Sequence, residues 1–392
     1  MGVQKEETSE EDRSILPFPF EELTQDMLEK VLSWLPTSSF LRTRSVCKRW
    51  SSVASSPTFL AACSQVPSRH PCFLMVDQHL SHSVIFDTSE GNWKNLHHLS
   101  HFNQTNHPNS IPVASHGGLL CFRDHVGGFS VCNPITGARR SLPCILLTGP
   151  LLAVSMTSLN KTISSSSFRI VLVTGEFSNL SFTTFNSATN RWEEEVTLAR
   201  KEGYSHEEDR VFFLSKSGEV VAADMQRSPS KEFSSVLSAD EKVIFFLSHS
   251  GTVVACDMAK RLFLEYPRLL PVGSEYSIDV IVSKGEMMVV VLAEFLETAS
   301  LRIWRFSGGS WRQVAAMPPA ISHEFYGKKA DINCVGSGDV ILVCLSSIEI
   351  SRSVIYNVAS SEWVELPKCV VEGEIKEFVS ALSFEPRVEV SV

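Results

Sequence analysis

Residues 23–60 read LTQDMLEKVLSWLPTSSFLRTRSVCKRWSSVASSPTFL. Leu28, Val31, Leu32 and Leu35 are spaced i, i+3, i+4 and i+7, the apolar stripe of an amphipathic helix. Thr24 is placed to cap that helix by accepting a bond from an orphan N–H of the first turn. Pro36 ends it, because proline has no N–H and clashes with the preceding turn. A second short helix is expected through Phe40 and Leu41. A third carries Val46, Trp50 and Val53 and stops before Pro57. So short a stretch cannot bury a large core by itself. Its apolar positions are therefore expected to be completed by another protein, as in an interaction module.

Around this stretch the chain has 392 residues, enough for one small module and one large domain. With 43% hydrophobic and 20% charged residues it has the makings of a globular core. A formal net charge of −9 gives no electrostatic footprint for phosphate binding, so a nucleic-acid partner is not expected. The one dense basic run, Arg42, Arg44, Lys48 and Arg49, lies inside the helical stretch and reads as contact with an acidic partner. Residues 1–15 carry Glu6, Glu7, Glu10, Glu11 and Asp12 and read as a disordered acidic lead, unlike a signal peptide. Leu142–Met156 is broken by Pro143, Gly149 and Pro150 and is too short to span a bilayer, so no membrane partner is expected. The ten cysteines form no CxxC pair. Cys72, Cys121, Cys132, Cys256 and Cys344 fall in apolar runs, where a reduced thiol behaves as a small hydrophobe. The reading is a reducing compartment, nucleus or cytoplasm.

From Cys72 onward helical periodicity gives way to short β-branched and aromatic runs between Gly, Ser, Asn and Pro turns, for example CFLMV at 72–76 and DVILVCL at 339–345. Residues 211–225 and 244–258 agree at 11 of 15 positions. Each reads as a hairpin with Gly218 or Gly251 in the turn. A looser mark recurs: a strand ends in Asp or Asn, and an aromatic follows six residues later. Asp87/Trp93, Asn186/Trp192 and Asn357/Trp363 are the clear cases, with Asn133/Arg139, Asp257/Phe263, Arg305/Trp311 and Asp224 weaker. The polar residue is expected to start a turn and the aromatic to pack between neighbouring sheets. The seven marks are spaced by 45 residues on average, the length of a four-stranded propeller blade. A β-sandwich usually closes in far fewer residues. The expected fold is a small all-α module (16–62) followed by an all-β propeller (63–392). Seven blades are counted, with six as the alternative because the marks at 224 and 257 are close enough to share one.

Residues 23–60 resemble the F-box: an acidic residue, an apolar helix, Leu-Pro, then Ser-Val-Cys-Lys-Arg-Trp and a Ser-Pro-x-Phe tail, with Thr24 standing where the family has its first proline. The marked strands resemble degenerate kelch repeats, with Gly117-Gly118 and Gly308-Gly309 similar to the family's double glycine. SHGGLLCFRDHVGGFSVCNPITGARRSLP at 115–143 is similar to the first blade of plant F-box-associated domains. With CVGSGDVILVCLSS at 334–347 and SEWVELPKC at 361–369, it points to plant F-box/kelch proteins, the subgroup that includes the unusual floral organs protein.

What the resemblance implies is a substrate receptor of an SCF-type ubiquitin ligase. Leu28, Val31, Leu32, Leu35, Pro36, Leu41, Val46 and Trp50 would carry the Skp-adaptor interface or its immediate packing, and the propeller would hold a target protein. A cullin–RING assembly would follow through the adaptor. The rival is a non-degradative cofactor of a transcription factor. Target contacts are expected on the irregular stretches His97–Asn109, Thr157–Ser167, Lys201–Asp209 and Gln226–Ala239. No GxSxG, GxxxxGK[ST] or HExxH motif occurs. His79/His82 and His97/His98/His101 lack the Cys or Glu companions of a metal site and read as surface histidines. No enzyme and no cofactor are expected.

Overall fold

The computed structural model describes residues 23–66, 71–77, 79, 81, 84–96, 110–158, 167–177, 179–201, 212–214, 220–222, 231–248, 251–269, 276–295 and 297–392. The chain divides into two compact units, Met1–Val66 and Pro67–Val392. The acidic lead lies outside the described residues.

Among the described residues the first unit holds four helices: α1 (Gln25–Ser33), α2 (Thr37–Thr43), α3 (Lys48–Val53) and α4 (Pro57–Ser64). Thr24 does cap α1, its Oγ1 accepting from the Met27 N–H at 3.4 Å. Leu28, Leu32, Phe40, Val53, Phe59 and Cys63 form the core, with the Phe40 and Phe59 rings stacked 4.7 Å apart. Three helices were expected and four are present. Pro57 does not merely stop α3; it occupies the first turn of α4, where its missing N–H costs nothing and its fixed φ suits a helix. Pro36 likewise opens α2, since α1 has already ended at Ser33. Val46 lies in the turn between α2 and α3, not on a helix.

The second unit is a ring of six four-stranded antiparallel blades among the described residues. Each runs from an inner to an outer strand. Blade 2 is Ile111–His116, Leu119–Arg123, Phe129–Cys132 and Arg139–Ser141. Blade 3 is Leu151–Ser158, Phe168–Glu176, Asn179–Asn186 and Arg191–Trp192. Blade 4 is Val236–Leu237, Val243–Leu247, Val253–Asp257 and Leu262–Glu265, with Ala199–Arg200 paired parallel outside it. Blade 5 is Tyr276–Ser283, Glu286–Phe295, Thr298–Ser307 and Ser310–Ala316. Blade 6 is Asp331–Ser337, Val340–Ser346, Ser351–Asn357 and Glu362–Glu365. Blade 1 joins the two ends of the unit. Cys72–Asp77, Val84–Asp87 and Asn92–Asn95 supply its outer three strands, and Phe378–Phe384 supplies the inner one. The ring is closed by the hydrogen bonds that pair Phe378–Phe384 with Cys72–Asp77.

The count is six, the alternative weighed from sequence, and not seven. Among the described residues, Phe212–Leu214 and Val220–Ala222 form a two-stranded sheet of their own, with no inner or outer strand of a blade joined to it. Gly218 and Asp224 lie outside the described residues. Residues 115–143 fall in blade 2, because the C-terminal strand makes the preceding sheet the first. The double glycines occupy non-equivalent turns. Gly117-Gly118 joins the first and second strands of blade 2, whereas Gly308-Gly309 joins the third and fourth of blade 5. All four have positive φ, as two-residue hairpins require, so they report turn geometry and not a repeated kelch position.

The six remaining polar marks all sit at or near the end of a third strand, and their partners six residues on all lie in the fourth. Asp87, Asn133, Asn186, Asp257 and Asn357 each accept a turn N–H through Oδ1, from Ser89, Ile135, Ala188, Lys260 and Ala359. Arg305 does not; it pairs with Glu286. The aromatics pack between blades as expected. One apolar cluster fills each of the six seams, and Trp93, Trp192, Trp311 and Trp363 enter the seams 6/1, 2/3, 4/5 and 5/6. At the axis the blade 5 and blade 6 inner strands touch. A Cβ on Gly336 would lie 2.2 Å from the Val282 carbonyl oxygen, so only glycine fits there.

Candidate functional site

Helix α1 carries two apolar stripes one residue out of phase. Leu28 and Leu32 are 1% exposed and point into the unit. Met27, Val31 and Trp34, spaced i, i+4 and i+7, are 59%, 49% and 59% exposed. A shift of one residue rotates a helical position by about 100°, which separates the stripes. The sequence reading merged Val31 with the inward stripe and did not single out Met27 and Trp34. Their own i, i+4, i+7 spacing was the signal available. Of the other expected interface residues, Leu41, Val46 and Pro36 are exposed, while Leu35 and Trp50 are half-buried.

The polar frame of this unit is internal. Glu29 is buried and accepts from Gln25 Nε2 at 2.9 Å and from Thr58 Oγ1 at 2.5 Å, tying α1 to the first turn of α4. Burial alone would raise its pKa, but the bonds from Thr58, Gln25 and Ser56 outweigh it and hold the carboxyl below the usual range. Arg49 is also spoken for, its Nη2 donating to the Leu23 carbonyl. The basic run therefore presents Arg42, Arg44 and Lys48 at the surface, while Arg49 fastens the entry of α1.

In the propeller, the segment Lys231–Ser235 reaches the inner strands of three separate blades. The Phe233 carbonyl accepts from Val154 N–H at 3.0 Å, and Ser235 Oγ donates to the Val154 carbonyl at 2.8 Å, in blade 3. Lys231 Nζ lies 3.8 Å from Asp279 in blade 5 and 3.4 Å from Asp331 in blade 6. Only a path along the central axis brings one short segment to all of them. Lys231 and Asp279 are both buried. Burial pushes the Asp279 carboxyl above its ordinary value, and Lys231 with the N–H groups of Cys334 and Val280 opposes that. Ser277 Oγ completes the network by donating to Asp331 Oδ1 at 2.5 Å.

Within the expected contact stretch Gln226–Ala239, the described residues form this axial segment and the inner strand of blade 4. Thr157, at the head of another stretch, is buried in the inner strand of blade 3. The stretches 97–109, 159–166, 202–209 and 226–230 lie outside the described residues, as do His82, His97, His98 and His101. Among the described residues no group of three His, Cys, Asp or Glu side chains is placed to hold a metal, and no helix is long and apolar enough to cross a membrane. All ten cysteines carry free thiols. Burial pushes Cys72, Cys132, Cys256 and Cys344 up to about 12, which leaves them protonated.

A helical unit with an outward apolar stripe, joined in one chain to a closed six-bladed ring, defines an F-box/propeller protein. The F-box domain family matches residues 20–61 and the KIB1-4 beta-propeller family matches residues 85–325. The chain belongs to the plant F-box proteins that carry a KIB1-4 β-propeller. It is 46% identical over 418 residues to F-box only protein 13 of Arabidopsis thaliana, covering 100% of this chain and 90% of that one. It is 27% identical to F-box only protein 6, covering 90% of this chain and 70% of the relative. It is 24% identical to Protein UNUSUAL FLORAL ORGANS, covering 90% and 79%. Both are from Arabidopsis thaliana.

Proposed function

We propose that this chain is the substrate-recognition subunit of an SCF-type E3 ubiquitin ligase in the nucleus or cytoplasm. The single observation that carries the reading is the outward stripe Met27, Val31 and Trp34 on a helical unit whose inward core is already filled. Exposed apolar side chains at helical spacing, on an F-box, fit the groove of a Skp-type adaptor. Leu41 and Val46 extend the contact, and Leu28, Leu32 and Phe40 hold the helices that present it. The adaptor brings the cullin–RING assembly, and the propeller holds the target. The rate then comes from effective concentration, and the chain contributes no nucleophile or general base.

The test is capture of a purified Skp adaptor by the purified full chain. Capture that survives Val31→Asp combined with Trp34→Asp overturns the assignment. A target whose abundance is unchanged by proteasome inhibition would place the protein with non-degradative cofactors.

A further inference from the structure

Among the described residues the propeller exposes eight large apolar side chains, and five of them lie in blade 6 or the connections that flank it: Tyr326, Ile348, Val364, Val370 and Ile375. Antiparallel strands alternate in direction, so the turn between second and third strands and the connections to neighbouring blades emerge on one face of the ring. Tyr326 is on the connection from blade 5, and Ile348 is on the turn Ser347–Ile350. Val370 and Ile375 are on a hairpin, Cys369–Val371 and Glu374–Lys376, in the connection to blade 1. These three elements adjoin. Lys328 Nζ is 3.4 Å from Glu349, and Ser351 Oγ donates to the Phe378 carbonyl at 3.1 Å.

The hairpin is the informative part. Its residues alternate: Cys369 and Val371 join the apolar seam between blades 6 and 1, while Val370 and Ile375 stand directly opposite each other, 60% and 58% exposed. The fold uses only the inward pair. A two-stranded ribbon is marginal by itself, and these two strands pair with each other alone among the described residues, which leaves their outer backbone edges open. Residues 368–378 carry three glutamates, Glu372, Glu374 and Glu377, against Lys368 and Lys376, and Lys376 is already paired with Glu374 at 3.1 Å. Such a surface repels a second copy of itself and suits a chain with lysine or arginine beside apolar residues.

We propose that this face of blade 6 docks an extended segment of the target protein, in which β-branched or other apolar residues alternate with lysine or arginine. The segment adds to the hairpin edge and sets its apolar residues against Val370, Ile375 and Ile348. This rests on the reading of the propeller as the target-binding part.

The probe is a fluorescent acetyl-Lys-Val-Lys-Ile-Lys-Val-Lys amide, titrated with the full chain and followed by anisotropy. Binding is expected to weaken about tenfold or more in Val370→Ser/Ile375→Ser, whose exposed substitutions leave the thermal transition in place. It also weakens as salt is raised. Equal affinity of the double variant overturns the proposal, as does equal binding of a peptide with glutamate for lysine or serine for valine and isoleucine. A concentration-dependent dimer that the double variant abolishes overturns it too, by assigning the surface to a second copy. Adaptor capture is measured beside it and is expected to be unchanged in the double variant. Its failure in the parent chain counts against the ligase reading and not against this surface.

Discussion

The indole N–H of Trp93 donates to the carbonyl of Pro367 at 2.9 Å, across 274 residues of chain. Trp93 lies in the outer strand of blade 1, and Pro367 follows the outer strand of blade 6. The bond thus pins the outer rim of the seam where the ring closes, while the Phe378–Phe384 strand pins the inner one. The same bond recurs at alternate seams: Trp192 to Pro143 at 2.8 Å and Trp311 to Pro267 at 2.7 Å. Replacing Trp93 by phenylalanine keeps most of the apolar contact and removes one bond, so a loss of about 1 kcal/mol is expected. Replacement by alanine opens the seam beside Phe86 and Phe378 and is expected to cost about 3 kcal/mol, the lower end for large-to-small changes because Trp93 is partly exposed. Urea denaturation of the two variants checks the ratio.

Lys231 is the counter-charge that the axis requires. Lys231→Met leaves Asp279 buried without its cation, and a destabilisation of about 3–5 kcal/mol is expected. Adding Asp279→Asn removes the stranded charge and is expected to restore much of that loss. A double-mutant cycle in urea measures the coupling; simple additivity of the two changes would refute it.

The tail beyond the last strand is held by Asn133, whose Nδ2 donates to the carbonyls of Arg387 and Val390 at 2.8 Å each. Asn133→Ala leaves both carbonyls without this donor. A loss of about 2 kcal/mol is expected from two bonds at the usual net value. Proteolytic release of residues 385–392 should accelerate in the same variant.

In the helical unit, stability and binding are expected to separate. Leu32→Ala empties a fully buried site and is expected to cost about 2–5 kcal/mol. Val31→Ser changes an exposed side chain, so its effect on stability stays within about 0.5 kcal/mol. If the outward stripe binds the adaptor, that same change weakens adaptor binding by about tenfold or more. Thermal melts and adaptor titrations on both variants make the comparison.

Glu29 gives the unit a pH dependence of definite sign. Its folded pKa lies below the unfolded value of 4.5. Its contribution is therefore present above that value and is lost as pH falls through the folded pKa. Glu29→Gln is expected to flatten the acid limb of the unit's unfolding curve below pH 4.5 while lowering stability at neutral pH. An unchanged acid limb would show that Thr58 and Gln25 do not favour the charged carboxylate.

The marks Asp87/Trp93 to Asn357/Trp363 were legible in the sequence because turn capping and aromatic return act over six residues. Thr24 was legible for the same reason, since a cap needs only the first turn of its helix. The paired strands Phe212–Leu214 and Val220–Ala222 account for the difference in blade count: their sequence repeats that of a blade's central hairpin, and nothing local says whether further strands will join them. Lys231 gave no sequence signal, because the two carboxylates it meets lie 48 and 100 residues further along the chain. Asp279 in the middle of one apolar strand and Asp331 at the head of another were the hint that the axis holds charge.

The sequence by itself determined the local grammar of this protein: an amphipathic helical module, then strands, turns and seam aromatics in a fixed order. Those features follow from the periods of helix and strand and from the side chains that cap turns, all within a few residues of one another. Tertiary structure alone decided that six blades close the ring, that blade 1 takes its inner strand from the C-terminus, and which α1 stripe faces outward. Each of these depends on contacts between residues far apart in the chain, or on which of two adjacent stripes meets a core, and no local period specifies either.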